Sequence, residues 1–345
     1  MTTSDELFML RALELAALGE GFARPNPVVG CVITHNGRII GEGWHRQYGE
    51  PHAEVNAISS VTEKNLLPES TAYVTLEPCS HFGKTPPCAD LLIKHRVKKV
   101  IICNTDPNPL VAGRGIKKLL EAGIEVETGF LAEKGTLLNR RFFTFHQKQR
   151  PYIVLKWAQT SDGFLAKPEY ETAPVSGALA KYLVHKWRTE EAAILVGTRT
   201  ALHDNPKLNV REWTGQNPVR LVIDNNLTLP ENLHLFDRSQ PTIVYNLLRE
   251  EQLHENLKLV RLEAGSDFLA QLLYDLYRRQ IQSVLVEGGT FLLDAFIQNN
   301  LWDEARVFRS PKKFGNGIAA PQLSLNTLTE TTLIGEDQLF LHNSD

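Results

Sequence analysis

One histidine and two cysteines stand where they could hold a metal ion. His52 opens an apolar-periodic segment that predicts a helix over residues 52–61, and Cys88 opens a second predicted helix over 88–97. A predicted buried strand ends shortly before Cys79. A thiolate at a helix N-terminus is favoured by the positive end of the helix dipole. One imidazole and two thiolates suit zinc, Zn(2+), with its fourth tetrahedral position left to water.

A carboxylate accompanies these ligands, because Glu54 lies two residues after His52. Zinc lowers the pKa of a bound water to about 7. Glu54 could then take a proton from that water and return it to a leaving amine. The pattern His-x-Glu with Pro-Cys and a later Cys is typical of zinc-dependent deaminases of nucleobases. These residues also fit a purely structural zinc site, although such sites more often have four protein ligands.

The cysteine spacing narrows the deaminase class. Cys79 and Cys88 are nine positions apart, whereas the usual pattern leaves a gap of two residues. The segment PCSHFGKTPPC at 78–88, together with RPNPVVG at 24–30, resembles the pyrimidine deaminases of riboflavin biosynthesis. The resemblance implies a cytidine-deaminase-like fold, zinc bound by the histidine and both cysteines, and Glu54 as the catalytic residue.

Length and composition limit the number of domains and the classes of partner that this protein could have. The 345 residues predict two domains, and 42% hydrophobic and 22% charged residues are typical of a globular protein. The formal net charge of -3 gives no reason to expect nucleic acid or an anionic membrane as a partner. No signal peptide and no membrane-length apolar run is visible. Cys31 and Cys103 lie in apolar runs and are predicted to be buried, and we expect a cytoplasmic, reduced protein.

The first half of the chain predicts a three-layer α/β/α domain. A helix over 4–19 precedes two strands joined at Asn36-Gly37, the strongest short hairpin signal. After this hairpin, helices alternate with strands, which indicates layered α/β structure. The predicted strands are 71–76, 100–103 and 124–128, and a further predicted helix is 115–122. The polar run 146–150 before Pro151 predicts a boundary, giving domains 1–148 and 149–345.

The second half predicts a mostly parallel sheet. Five apolar runs read as strands buried on both faces: 152–157, 192–197, 219–224, 242–245 and 283–287. Helices are predicted around 177–188 and 268–279. The last strand ends in Gly288-Gly289, and a helix begins at Thr290. Bare amides at such a helix N-terminus bind phosphate, although the same turn also fits a tight connection.

Three segments of this half, taken together, resemble a reductase. They are WAQTSDG at 157–163, VGTRTALHDNPKLNVR at 196–211 and VEGG at 286–289. They are similar to the NADPH-dependent reductase domain of riboflavin biosynthesis, which has a dihydrofolate-reductase-like α/β fold. The chain to about residue 315 therefore resembles the bifunctional deaminase/reductase family. The resemblance implies deamination of 2,5-diamino-6-(5-phosphoribosylamino)pyrimidin-4-one, then NADPH reduction of the ribosyl group of 5-amino-6-(5-phosphoribosylamino)uracil to ribityl.

The resemblance also implies ligand contacts in the reductase half. The cofactor contacts are Ala158, Thr200, Asp204, Gly289, Thr290, Phe291, Leu292, Leu293, Asp294 and Ala295. The substrate contacts are Thr172, Arg188, Leu208, Arg211 and Glu287. Guanidinium groups bind sugar phosphates in a bidentate manner, although both arginines also fit ordinary surface positions. Lys156 is a candidate for proton management or a strand lysine with its head group in solvent.

Two other classes of function remain open from the residues. One is a nucleoside or tRNA-base deaminase with an appended nucleotide-binding domain, which the cysteine spacing and the near-neutral charge disfavour. The other is a nucleotide-sensing module without turnover, which the intact His52, Glu54, Cys79 and Cys88 disfavour. For the bifunctional enzyme we expect a small-molecule substrate, no nucleic-acid or membrane partner, and a homo-oligomer, either a dimer or a tetramer.

Overall fold

The chain folds into two compact units, Met1–Lys148 and Gln149–Asp345. The computed structural model describes residues 4–80, 86–108, 111–170 and 173–344. Within these described ranges, no helix is both long and apolar enough to cross a membrane.

A five-stranded sheet forms the centre of the first unit. Its strands are β1 (Gly30–His35), β2 (Arg38–Trp44), β3 (Thr71–Leu76), β4 (Lys99–Asn104) and β5 (Glu125–Thr128). The order is β2-β1-β3-β4-β5, with β1 antiparallel to both neighbours and β3, β4 and β5 parallel. Asn36 and Gly37 have φ values of 49° and 72°. Two positive φ values suit a tight hairpin turn, so the predicted hairpin is confirmed.

Helices cover both faces of this sheet, which confirms the three-layer prediction. They are α1 (Ser4–Ala17), α2 (Ala53–Ser60), α3 (Cys88–Lys94), α4 (Arg114–Glu121), α5 (Ala132–Leu138) and α6 (Arg140–Lys148). Side chains alternate across β1: Cys31 and Ile33 pack in the core formed with α2, α3 and α4, whereas Val32 packs with Met9 of α1. Cys103 is fully buried on the α1 side.

One predicted helix boundary in this unit was wrong. The helix predicted over 88–97 ends at Lys94, because Arg96 adopts a left-handed φ of 54° that no helix can continue through. The polar run 146–150, predicted as a domain boundary, contains both the end of α6 at Lys148 and the junction of the two compact units. Helix α6 persists there because Phe142, Phe143 and Phe145 anchor its inner face in the core.

A ten-stranded sheet forms the centre of the second unit. Its strands are β6 (Tyr152–Thr160), β8 (Ala193–Gly197), β9 (Val219–Ile223), β10 (Thr242–Asn246), β11 (Glu251–His254), β12 (Leu257–Arg261), β13 (Ser283–Val286), β14 (Glu304–Ser310), β16 (Leu328–Ile334) and β17 (Asp337–Asn343). The order is β11-β12-β10-β9-β8-β13-β6-β14-β17-β16. Every neighbouring pair from β12 to β14 is parallel, which confirms the predicted mostly parallel sheet. The short strands β7 (Phe164–Ala166) and β15 (Ile318–Ala319) pair separately.

Both faces of this sheet are covered. The helices are α7 (Ala178–Glu190), α8 (Thr198–Asp204), α9 (Phe268–Arg278) and α10 (Thr290–Gln298). Ile153 and Leu155 of β6 pack in one core with α9 and α10, and Val154 packs in the other with α7 and α8. The C-terminal hairpin of β16 and β17 lies beyond the predicted strands. Sequence patterns miss β16 because most of its side chains are exposed and polar.

Candidate metal centre and reductase site

Three side chains converge at the helix N-termini of the first unit. His52 caps α2, Cys88 is the first residue of α3, and Cys79 follows the end of β3. His52 Nδ1 lies 3.3 Å from Cys88 Sγ and 3.7 Å from Cys79 Sγ. All three donor atoms lie within 4.8 Å of one another. Tetrahedral zinc with ordinary bond lengths separates a nitrogen and a sulfur ligand by about 3.6 Å, so the donor set fits zinc.

The two cysteines share their protons unequally. Hydrogen bonding from the Cys88 side chain, with His52 assisting and burial opposing, lowers the pKa of Cys79 to about 4. The same hydrogen bond, together with burial, raises the pKa of Cys88 well above its ordinary value. The Cys88 backbone N–H also donates to Cys79 Sγ at 3.3 Å. The pair therefore favours one thiolate and one thiol, and zinc binding requires the second proton to leave.

Glu54 lies on the first turn of α2 and is buried, with 3% of its surface exposed. Burial, with a contribution from the Cys79 charge, raises the pKa of Glu54 to about 7. A carboxyl group with such a pKa can hold or release a proton near neutral pH, as a general acid and base requires.

A second histidine packs against His52, a candidate metal ligand. The ring of His45 meets the ring of His52 edge-on, with centroids 5.3 Å apart. His45 Nε2 lies 3.1 Å from the Asn26 side-chain nitrogen, which donates, and His45 Nδ1 donates to the Pro51 carbonyl at 3.2 Å. These bonds fix the ring and its tautomer. Sequence reasoning did not single out His45 or Asn26, although Asn26 lies within the quoted RPNPVVG segment.

Glu77 anchors the chain just before Cys79. Its buried carboxylate accepts hydrogen bonds from the backbone N–H groups of Asp106, Gly113, Gly115 and Ile116, at 2.9 to 3.3 Å. The carboxylate thereby caps the N-terminus of α4 and ties it to the segment that carries the metal ligand. A Cβ at Gly115 would collide with the Pro78 carbonyl, so only glycine permits this close approach.

In the second unit, strand register brings Lys156 and Glu287 together. Strands β6 and β13 are parallel neighbours, and Glu287 follows Val286, the partner of Leu155. Lys156 Nζ lies 3.7 Å from Glu287 Oε2. Arg188 of α7 binds the same carboxylate in a bidentate manner, with both N–O distances 3.0 Å. The sequence gives no sign of this pairing, because the three residues are far apart along the chain.

The charged groups of Lys156, Arg188 and Glu287 together shift the pKa values of Glu287 and Lys156. Burial alone would raise the pKa of Glu287, but the charges of Arg188 and Lys156 outweigh it and lower that pKa to about 2. Burial lowers the pKa of Lys156, with Glu287 opposing. Glu287 is therefore a carboxylate, and Lys156 is a cation whose proton is easier to release than that of an exposed lysine.

The loop after α8 lies against α7. Arg188 NH1 donates to the Asn209 carbonyl at 3.2 Å, and the Arg211 backbone N–H donates to His185 Nδ1 at 3.3 Å. The Arg211 side chain is 43% exposed, and its NH1 lies 3.2 Å from Asn209 Oδ1. Leu208 is buried with a left-handed φ of 50°. Sequence reasoning missed His185, although it lies three residues before Arg188 and thus on the same helix face.

The residues predicted to contact the cofactor lie on three elements of the second unit. Ala158 lies on β6, Thr200 and Asp204 on α8, and Gly289 caps α10. A Cβ on Gly289 would lie 3.4 Å from Thr200 Oγ1, so the start of α10 faces α8. The segment 290–295 is the first part of α10, and Leu292 and Leu293 are buried while Phe291 is 84% exposed. Thr172 lies outside the described residues.

Family models match both units. Residues 2–104 match the cytidine and deoxycytidylate deaminase zinc-binding region, and residues 151–339 match the RibD C-terminal domain. The predicted fold class, a cytidine-deaminase-like domain followed by a dihydrofolate-reductase-like domain, is confirmed. An unrelated appended domain is excluded by the second match.

Individual relatives span nearly the whole chain. The riboflavin biosynthesis protein RibD of Aquifex aeolicus is 39% identical over 332 residues, covering 95% of this chain and 92% of the relative. A Thermotoga maritima diaminohydroxyphosphoribosylaminopyrimidine deaminase/5-amino-6-(5-phosphoribosylamino)uracil reductase superposes with a TM-score of 0.89 at 36% identity, covering 99% of both chains. Acinetobacter baumannii RibD gives a TM-score of 0.90 at 34% identity, covering 99% of this chain and 98% of the other.

The donor set and the matches across both units agree with the motifs in the sequence. The chain therefore belongs to the RibD family and is a bifunctional zinc-dependent deaminase and NADPH-dependent reductase of riboflavin biosynthesis.

Proposed function

We propose that residues 1–148 form the deaminase domain and residues 149–345 form the reductase domain. The observation that carries this division is the placement of the two clusters. The donor set of His52, Cys79 and Cys88, with buried Glu54, lies wholly within the first compact unit, and the cluster of Lys156 and Glu287 lies within the second.

The proposed deaminase substrate is 2,5-diamino-6-(5-phosphoribosylamino)pyrimidin-4-one, as in the name of the Thermotoga maritima enzyme. His52, Cys79 and Cys88 would hold zinc, which would supply an activated water. Glu54 takes the proton of that water and returns it to the departing amine, so that ammonia leaves and a carbonyl remains. The pKa of about 7 supports both halves of this shuttle.

The proposed reductase substrate is the deaminated product, 5-amino-6-(5-phosphoribosylamino)uracil. When bound, NADPH would supply a hydride to the first carbon of the ribosyl group. Lys156 donates a proton to the ring oxygen that this carbon releases, and Glu287 holds the lysine in place. The lowered pKa of Lys156 supports such a donor.

The proposed cofactor and substrate contacts keep the residues that the resemblance implied. We propose that Ala158, Thr200, Asp204 and the start of α10 hold NADPH, where backbone amides at 289–295 suit its pyrophosphate. The substrate lies among Thr172, Leu208, Arg211, Arg188 and Glu287. Because both nitrogen donors of one Arg188 edge already bind Glu287, we assign Arg188 to orienting that carboxylate and Arg211 to the substrate phosphate.

The setting of the enzyme is also a proposal. We propose a cytoplasmic homo-oligomer, either a dimer or a tetramer, that acts on small molecules. The net charge of -3 supports the absence of nucleic acid and of anionic membranes as partners, because a polyanion attracts a basic surface.

The central experiment incubates the protein with the diaminopyrimidinone ribotide, with and without NADPH, and resolves the products by mass. We expect the deaminated product alone without NADPH and the ribityl product with it. Release of ammonia from cytidine or tRNA adenosine, with no change in the ribotide, would replace this proposal with the nucleoside or tRNA-base deaminase.

The assignment of Arg211 predicts a specific loss. Arg211→Ala should raise the reductase KM for the phosphorylated substrate by the equivalent of about 1.5–3 kcal/mol, because a hydrogen bond to a charged group is lost. NADPH binding should change little. Steady-state kinetics with phosphorylated and dephosphorylated substrate form a double cycle, with the exposed Arg249→Ala as the control. Additive losses would show that Arg211 does not touch the phosphate.

A further inference from the structure

Helix α7 holds the loop that carries Arg211 at two points. His185 and Arg188 are one helical turn apart, so both side chains project from the same face of α7. Arg188 donates to the Asn209 carbonyl at 3.2 Å, and the Arg211 backbone N–H donates to His185 Nδ1 at 3.3 Å. The second contact fixes the backbone of Arg211 itself.

The direction of this hydrogen bond sets the state of the imidazole. A backbone N–H can only donate, so Nδ1 of His185 must be the acceptor and the ring proton must lie on Nε2. His185 is only 1% exposed. A buried ring with one defined tautomer is a rigid attachment point for the loop.

We propose that His185 is a positioning residue of the reductase, whose neutral imidazole holds the backbone of Arg211 so that the guanidinium group meets the substrate phosphate. The inference rests on the proposed function of Arg211. It adds a residue that touches neither substrate nor cofactor and that acts through the loop.

The surroundings of His185 keep its Nδ1 unprotonated, so that it can accept the hydrogen bond from Arg211. The charged groups that face His185 are Arg188, Arg211, Glu212 and Glu287. Burial first, and then the two arginines, lower the pKa of His185 to about 4, with the two carboxylates opposing. A protonated ring would carry a hydrogen on Nδ1, lose the bond to Arg211 and repel both guanidinium groups. At neutral pH the ring is neutral and the loop stays attached.

Two substitutions of His185 test whether the hydrogen-bond acceptor at the Nδ1 position matters more than the rest of the side chain. In His185→Asn the side-chain oxygen takes the place of Nδ1, whereas in His185→Gln it takes the place of Nε2. We expect His185→Gln to raise the reductase KM for phosphorylated substrate about five- to tenfold, the worth of one hydrogen bond, with kcat nearly unchanged. We expect His185→Asn to restore most of the affinity. NADPH binding to each variant checks that the second unit is folded.

A comparison of phosphorylated with dephosphorylated substrate distinguishes a positioning role of His185 from a general packing defect. With dephosphorylated substrate, His185→Gln should cost little, because the contact that it disturbs is missing. The proposal would be overturned if His185→Gln raised the KM equally for phosphorylated and dephosphorylated substrate. It would also be overturned if His185→Gln and His185→Asn raised the KM equally. If Arg211→Ala leaves phosphate dependence intact, the proposed function of Arg211 fails, and the proposal fails with it. If Arg211→Ala weakens binding of the phosphorylated substrate but His185→Gln does not, the positioning role of His185 alone is overturned.

A measurement on the unsubstituted protein does not depend on the folding of variants. Nitrogen NMR of the His185 ring, assigned through its contact with the Arg211 amide, should show a proton on Nε2 and an unprotonated Nδ1. The ring should stay neutral from about pH 6 to about 8, unlike a free histidine, which titrates near pH 6.5. A proton on Nδ1, or titration in that interval, would overturn the proposal.

Discussion

His52 caps α2 and Glu54 lies in its first turn, but the two side chains have different predicted roles. The histidine is half-buried and points its Nδ1 at two sulfur atoms, whereas the carboxylate is almost fully buried. Because both lie at the start of α2, the helix backbone fixes the distance between the proposed proton carrier and the candidate metal ligand. Replacing Glu54 alone should therefore remove the proposed proton carrier and leave the three candidate metal ligands in place.

Glu54→Gln should keep zinc and the fold but slow deamination by a factor of about a hundred or more, because an amide cannot accept the proton. Product formation and metal content measure the two effects. Reductase activity on substrate deaminated beforehand is the internal control and should persist. A parallel fall in both activities would contradict the proposed division into two domains.

Cys88→Ser should lose most of the bound metal, which we expect at about one zinc per chain in the unsubstituted protein. The reason is the loss of one of two thiolates from a three-residue donor set. Cys103→Ala is the matched control, since Cys103 is buried in the same unit but lies outside the donor set. Full zinc retention in Cys88→Ser would show that this cysteine is not a ligand.

At the scale of elements, the metal site depends on how closely α2 approaches β2. Gly43 faces the helix backbone, and a Cβ there would clash with the Ala57 nitrogen and lie 2.7 Å from the Ala53 carbonyl oxygen. Helix α2 begins one residue after His52. A shift of this helix therefore moves the metal ligand.

Gly43→Ala should destabilise the first unit by about 1–3 kcal/mol and lower its zinc content, because the helix must move away from the strand. Denaturant unfolding and metal analysis measure these changes. Gly177→Ala is the control, since a Cβ there meets nothing closer than an Asp337 oxygen at 3.5 Å. Unchanged stability in Gly43→Ala would mean that α2 can shift without cost.

At the scale of the whole molecule, the two compact units should respond to different ligands. Zinc should stabilise the first unit and NADPH the second, because a ligand that binds only the folded state raises its stability. Scanning calorimetry should show a chelator lowering one transition temperature and NADPH raising another. A single transition that shifts with both additions would show that the units unfold together.

The residue types and their spacing were enough to predict the chemistry of the first site. His52, Glu54, Cys79 and Cys88 carry the reactive groups, and the apolar periods around them predicted the helices and the strand that deliver them. Local signals of this kind depend only on near neighbours, which explains the correct hairpin at Asn36-Gly37. The same patterns predicted the central parallel strands, because residues buried on both faces form continuous apolar runs.

Contacts between polar groups that are distant along the chain could not be predicted from the sequence and are seen in the folded structure alone. The contact of Lys156 with Glu287 follows from strand register, and the bond from Arg211 to His185 follows from a loop folding back on α7. Neither leaves a periodic pattern in the sequence. The boundaries of α3 and α6 were likewise set by one left-handed residue and by buried aromatic rings. Such contacts and helix ends depend on packing between residues far apart in the sequence. Propensities and periodic patterns describe only residues close together in the sequence, so they cannot predict these features.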